Sequence, residues 1–169
     1  MRALTRLVVA ACLLTAPTLA AAQTSPLAGT WILRAADELR PDGSRVPQYG
    51  ATPQGILMID ADGRYSLQIF RADRPKFASG DKHRGTPEEY ASTTLGMSTH
   101  SGRIAIDSAT HTLTFRIALA SFPNWEHTEQ KRPFTLSGDG NDLSYQVPPT
   151  AHGDGTTAIS VWRRATPGA

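Results

Sequence analysis

Thr128, Gln130 and Arg132 alternate along one short stretch, Ser121 to Leu136, that closes on Phe134 and Leu136. The stretch reads as a loop followed by a strand. Successive strand side chains point to opposite faces, so a hydroxyl, an amide and a guanidinium share a face with the two apolar residues. If that face meets a core, polar groups meet it too, and their uncompensated burial is costly. A polar row on an inward face implies a ligand, water or counter-charge beside it. The planar fork of an arginine suits a carboxylate or enolate oxygen.

The same alternation yields further candidates. Tyr65, Leu67 and Ile69 share a face that continues to Arg71. Gly102, Ile104 and Ile106 share one that reaches back to His100, and Leu143, Tyr145 and Val147 share another. Leu113, Phe115, Ile117 and Leu119 are taken as a fourth inward row, which leaves Arg116 outside. The candidate ligand-binding set is therefore Tyr65, Arg71, His100, Gln130, Arg132 and Tyr145. A few placed polar groups among apolar walls describe a small-molecule site. Plainer uses stand beside these. Arg132 can bridge to Glu129, Glu126 or Asp107, and Gln130 can satisfy backbone at a bulge. His100 can be a hydrogen-bonded or exposed histidine, and Tyr65 and Tyr145 core or rim aromatics. Trp125 reads as a loop anchor, Trp31 and Trp162 as structural.

The common catalytic signatures are missing. There is no Gly-rich phosphate loop and no nucleophile elbow, and His83, His100, His111, His127 and His152 are scattered without ligand spacing. No metal and no cofactor are expected. Acid–base chemistry stays open, with His100 or a tyrosine carrying the proton beside an arginine that stabilises oxyanion charge.

These residues need strands to position them. Strands are expected over Thr30–Arg34, Gly55–Ile59, Tyr65–Phe70, Gly102–Asp107, Thr112–Ala120, His127–Leu136, Leu143–Val147 and Ala158–Arg164. Turn signals separate them at Pro41–Ser44, Asp60–Gly63, Ser108–Thr110 and Gly138–Asn141. Residues 72–85 and Pro148–Gly155 read as loops. One helix is expected, with Thr86 as N-cap, Pro87 at the first position and Glu89 at the third, running to about Leu95. Short strands at regular spacing make an all-β barrel or sandwich.

The N-terminus reads as an export leader. Arg2 and Arg6 precede the apolar run Leu7–Leu14, and Ala20-Ala21-Ala22 fits cleavage before Gln23. The run is too short to span a bilayer as a helix. This divides the chain into a signal peptide, 1–22, and a single domain, 23–169, placed in the periplasm or secreted. Lipid attachment at Cys12 is the competing reading. The full chain has 17 basic and 15 acidic residues, and the leader holds two of the basic ones and no acid. The domain is thus balanced in charge, without a basic stripe for nucleic acid. Cys12 is the sole cysteine, so the domain must draw its stability from its core, for which its length suffices.

Leu27-Ala28-Gly29-Thr30-Trp31 opens the domain and Val161-Trp162-Arg163-Arg164 closes it. Gly-x-Trp on a first strand with arginine on the last resembles the lipocalin arrangement, in which the tryptophan closes the barrel floor and the arginine packs across it. Asp42-Gly43, Pro53-Gln54-Gly55-Ile56-Leu57, Asp62-Gly63-Arg64-Tyr65-Ser66, Arg71 with Arg74-Pro75, Ser101-Gly102-Arg103, and Phe122-Pro123-Asn124-Trp125 through Thr128-Glu129-Gln130 and Arg132 narrow this. Together they resemble the bacterial and fungal lipocalin-like domain family over about residues 27–164. The resemblance implies a small antiparallel, lipocalin-like (calycin-type) β-barrel with a central cavity and one short helix. The chain departs from the family pattern at His100, where an aromatic is usual, and at Phe115-Arg116, where histidines are usual.

Three functions stand as expectations. The first is an exported monomer that binds a small, mainly apolar ligand with an anionic or carbonyl group near Arg132 and Gln130, and neither binds nucleic acid nor spans a membrane. The second is a cofactor-free isomerase, cyclase or dehydratase using the same cavity. The third is a periplasmic interaction module with a filled barrel.

Overall fold

A computed structural model describes residues 25–147 and 155–166. The leader, its cleavage site, Cys12 and most of the Pro148–Gly155 loop lie outside the described residues.

Alternation of apolar and polar residues produces nine strands: β1 (Gly29–Leu39), β2 (Arg45–Pro47), β3 (Gln54–Ile59), β4 (Arg64–Phe70), β5 (Met97–Asp107), β6 (Thr112–Ala120), β7 (Glu129–Leu136), β8 (Asp142–Val147) and β9 (Thr157–Arg164). All neighbours pair antiparallel, and β1 pairs with β9, from Trp31↔Arg164 to Leu39↔Thr157. That pairing closes eight strands into a barrel and removes the exposed edges of an open sheet. The ninth, β2, extends the pairing of β1 where β3 leaves off, with Asp37↔Pro47 to Leu39↔Arg45. It was not expected from the sequence because three residues ending in proline carry no alternation. The helix α1 (Pro87–Leu95) has its capping box in place, with the Thr86 hydroxyl accepting from Glu89 N and the Glu89 carboxylate from Thr86 N.

The inward faces supply the core: Leu57 and Ile59 from β3, Leu67 and Ile69 from β4, Leu113, Phe115 and Ile117 from β6, Leu143 and Tyr145 from β8, Trp162 from β9. Leu119 corrects the expected row of β6, being 65% exposed. The register shifts where Ser101 pairs with Leu119 but Gly102 with Ile117. Ala118 is therefore an extra residue, and such a bulge reverses the facing of the strand residues beyond it. Gly102 is required there. A Cβ on it would lie 2.0 Å from the Arg116 carbonyl oxygen.

One end of the barrel is anchored by charge on aromatic. Trp31 is fully buried and donates Nε1–H to the Leu27 carbonyl at 2.9 Å. The Arg164 guanidinium lies 4.2 Å from the Trp31 ring centroid. It donates to the carbonyls of Ala28, Pro26 and Gly140 at 2.6, 3.0 and 2.9 Å. First strand, last strand and the β7–β8 turn are thus tied at one point. Trp31→Ala should cost about 3–5 kcal/mol, as a large buried aromatic truncation does. Urea unfolding measures this, and a loss under about 1 kcal/mol would remove Trp31 from its floor-closing role.

Candidate ligand site

Glu38 lies at the opposite end of β1 from Trp31, roughly 23 Å away at about 3.3 Å per residue. Around this end the barrel encloses a cavity of about 300 Å³, at the lower end of small-molecule sites. Its walls are mainly Leu67, Ile69, Val147 and Ile159 with Trp125, and its polar groups include Arg132, His100, Tyr145, Ser98 and Ser160.

Arg132 is 3% exposed. The acids that were candidates to pair with it are engaged elsewhere. Glu129 binds Arg116 at 2.6 Å, Glu126 accepts from Ala120 N, and Asp107 accepts from Ala109 N and Thr110 N. Among the described residues no carboxylate pairs with Arg132. Its Nη2 instead donates to Gln130 Oε1 at 2.6 Å. Its charge rests over Phe115, 4.1 Å to the ring centroid, and Tyr145, 5.3 Å. Contacts of this kind contribute roughly 0.5–2 kcal/mol each. The Nε–H has no hydrogen-bond partner among the described residues. Burial lowers the Arg132 pKa, with Tyr145 and Tyr65 opposing. A guanidinium starts so high that it stays charged.

His100 and Tyr65 form a second pair, the Tyr65 hydroxyl 2.8 Å from His100 Nδ1. The shared proton belongs to either partner depending on the tautomer. Tyr65 occupies Nδ1, so any contact of His100 with a cavity ligand must run through Nε2. Burial, reinforced by the positive charge of Arg132, holds the imidazole down at about 3, against an ordinary 6.5. Burial likewise pushes Tyr65 and Tyr145 above their ordinary 10, with Arg132 opposing in both. The charge of Arg132 and the neighbouring Ser160 and Trp162 act in the opposite sense to burial on the Tyr145 hydroxyl. None of the three partners it at hydrogen-bond geometry, and the Trp162 Nε1–H is also without a partner among the described residues.

The structure brings five of the six sequence candidates into one neighbourhood. Arg132, His100 and Tyr145 line the cavity, Tyr65 stands behind His100, and Gln130 holds Arg132. Arg71 is not brought there. Strand β4 ends at Phe70, and the Arg71 side chain, 43% exposed, turns back to Asp73 with contacts of 3.0 and 2.9 Å. Extending the β4 alternation one residue past its end produced that misplacement. Thr128 also stops short of the strand, donating to the Trp125 carbonyl at 2.7 Å. Several cavity residues were missed, among them Ser98, Ser160 and the aromatics Trp125 and Tyr49. Trp125 anchors its 3-10 turn (Pro123–Trp125) against Phe122, but it also lines the cavity, edge-on to His100 at 6.1 Å. Tyr49, between β2 and β3, is a wall residue whose signal was a lone aromatic in a stretch rich in proline and glycine.

Residues 28–165 match the pattern of the lipocalin-like domain. The chain belongs to that family. This lipocalin-like barrel is also similar to a protein of Aspergillus oryzae (strain ATCC 42149 / RIB 40) named 4'-hydroxy-3'-methoxypropiophenone carrier protein ppsC. The identity is 27% over 105 residues, 59% of this chain and 95% of the fungal protein. Among the described residues no helix is long and apolar enough to cross a membrane, and no three acidic, histidine or cysteine side chains cluster as a metal site.

The depressed pKa of His100 has a consequence for stability. In the unfolded chain the imidazole takes up a proton near pH 6.5, whereas in the folded barrel it does not until about 3. The unfolded state therefore binds more protons between these values, and stability falls as pH drops through that window, by at most about 1.4 kcal/mol per pH unit. Urea unfolding of wild type and His100→Phe from pH 7 to 4 should show a shallower decline in the variant. Parallel curves would mean that His100 is charged in the folded state.

Proposed function

We propose that this protein is an exported carrier of a small, mainly apolar ligand whose oxygen function is held by Arg132, with Gln130 fixing the guanidinium from behind. The observation that carries this is the buried cation itself. Arg132 lines a 300 Å³ cavity with no carboxylate partner among the described residues and an unpartnered Nε–H. A buried charge without a partner is costly, and an oxygen-bearing ligand would supply the missing contact. The fungal relative is named as carrier of a small aryl ketone, a molecule of this chemistry, with an apolar arene and few oxygens. We extend that ligand class to this chain.

The acid–base reading has the right residue types in reach but the wrong basicity. A general base works best with a pKa near the operating pH, and an imidazole held at about 3 is a poor proton acceptor at neutrality. The open cavity weighs against a filled barrel serving as an interaction module.

Native mass spectrometry of the purified protein should reveal a retained small molecule, and titration with 4'-hydroxy-3'-methoxypropiophenone should show saturable binding. Arg132→Leu should weaken that binding roughly tenfold to hundredfold, the worth of a charge-assisted hydrogen bond. Its melting temperature should hold or rise, because an unpaired buried charge is removed. Unchanged affinity with a large fall in stability would make Arg132 a structural residue and sink the reading.

Export rests on the leader, residues 1–22. N-terminal sequencing of the protein recovered outside the cytoplasm should begin at Gln23. A diacylated Cys12 would instead make it a membrane-anchored lipoprotein.

A further inference from the structure

We propose that the cavity binds its ligand as an oxyanion, an ionised phenol, enol or carboxylic acid, and draws the ligand's proton off into solvent on binding. This rests on the carrier reading and specifies the charge state of what is carried.

The groups that face Arg132 are neutral on every side. From its own strand, β7, Gln130 presents an amide oxygen already engaged by Nη2. From β6 comes Phe115, which carries no charge. From β8 comes Tyr145 and from β4 Tyr65, both kept as neutral phenols by burial. From β5 comes His100, kept neutral in the same way. Ser160 of β9, another lining residue, carries an uncharged hydroxyl. Tyr49 is also held neutral, and the carboxylate among the described lining residues is Glu38, which makes no ion pair with Arg132. Arg132 therefore brings to the cavity a positive charge that no described carboxylate pairs with.

The hydrogen-bond inventory points the same way. Among the described residues the unpartnered buried side-chain groups are the Nε–H of Arg132 and the hydroxyl of Tyr145, both on cavity-lining residues, and the Nε1–H of Trp162, which does not line the cavity. Two of these can only donate, and the third can donate. A neutral ligand hydroxyl would bring one more proton into a place already rich in donors. An oxyanion brings none, accepts several bonds and balances the guanidinium. A neutral ketone oxygen would satisfy the donors but leave the charge uncompensated. Near a desolvated cation the ionised form of an acid is favoured, so the bound ligand's pKa lies below its value in water.

The probe is 4'-hydroxy-3'-methoxypropiophenone, whose phenol is conjugated to its ketone, so that ionisation shifts its absorption to longer wavelength. Its 4'-O-methyl ether has the same carbonyl and cannot ionise. One pH unit below the probe's solution pKa, the probe bound to the full-length mature protein should show the phenolate spectrum. Binding should release a proton measurable in a weakly buffered solution. Apparent affinity should fall close to tenfold per pH unit on further acidification until the bound pKa is reached. The ether should bind at least tenfold more weakly. Arg132→Gln should return the bound probe to its neutral spectrum, and the ether and proton-release measurements stand even if that variant does not fold. Tight binding of both compounds with the neutral phenol spectrum and no proton release would overturn this inference while leaving the carrier reading intact. Failure of both compounds to bind would overturn the two together.

Discussion

A guanidinium buried inside an apolar barrel, with no carboxylate paired to it among the described residues, is the constraint around which this structure is organised. Burial of a lone charge is unfavourable, and the protein offsets it with what neutral groups can offer: one short amide contact from Gln130 and the faces of Phe115 and Tyr145. The same charge then sets the chemistry of its neighbours. It adds to burial in holding His100 unprotonated, and it works against burial in Tyr65 and Tyr145. The interior is a set of neutral hydroxyls and a neutral imidazole arranged about one permanent cation.

Strand geometry keeps this unfavourable arrangement away from what holds the barrel shut. Trp31 and Arg164 lock the first strand to the last and to the β7–β8 turn at one end, with the Arg164 guanidinium donating to three backbone carbonyls. Arg164 is thus a satisfied cation at the rim and Arg132 an unsatisfied one inside. Both lie against aromatic rings at similar distances, 4.2 and 4.1 Å. The difference lies in the hydrogen bonds. At Arg164 backbone oxygens converge and pair the guanidinium; at Arg132 they do not, and among the described residues its Nε–H is left unpartnered.

The fold was largely legible in the sequence because period-two alternation and Gly/Asp turns are local signals, and the Thr86–Glu89 capping box is local too. The candidate site was legible where alternation could be followed inside a strand, which grouped Tyr65, Gln130, Arg132 and Tyr145, and where it was carried back from Gly102 to His100, a residue that β5 contains. It failed where alternation was extrapolated past a strand end or through a bulge. Arg71 lies beyond the end of β4. Leu119 lies beyond the extra residue Ala118, whose presence depends on pairing across β5 and β6 rather than on anything in its own neighbourhood. Tyr49 and Trp125 come to the cavity from loops, where no periodicity says which way a side chain turns. The lack of a carboxylate partner for Arg132 among the described residues was equally out of reach, since Glu126, Glu129 and Asp107 are all close in sequence or in register and each is withdrawn by a different local bond.

The choice of glutamine at 130 brings these observations together. Its oxygen, not its nitrogen, must face Arg132, because a guanidinium only donates. A carboxylate there would form the stronger pair, but it would neutralise the charge and leave only spare N–H donors. The amide keeps the guanidinium positioned over Phe115 and leaves its charge unneutralised. The barrel tolerates this because its floor is closed elsewhere, by Trp31 and Arg164. For the carrier role proposed above, positioning a charge without cancelling it is what recognition needs and a structural bridge does not, and Gln130, two positions away on the same face of β7, provides that arrangement.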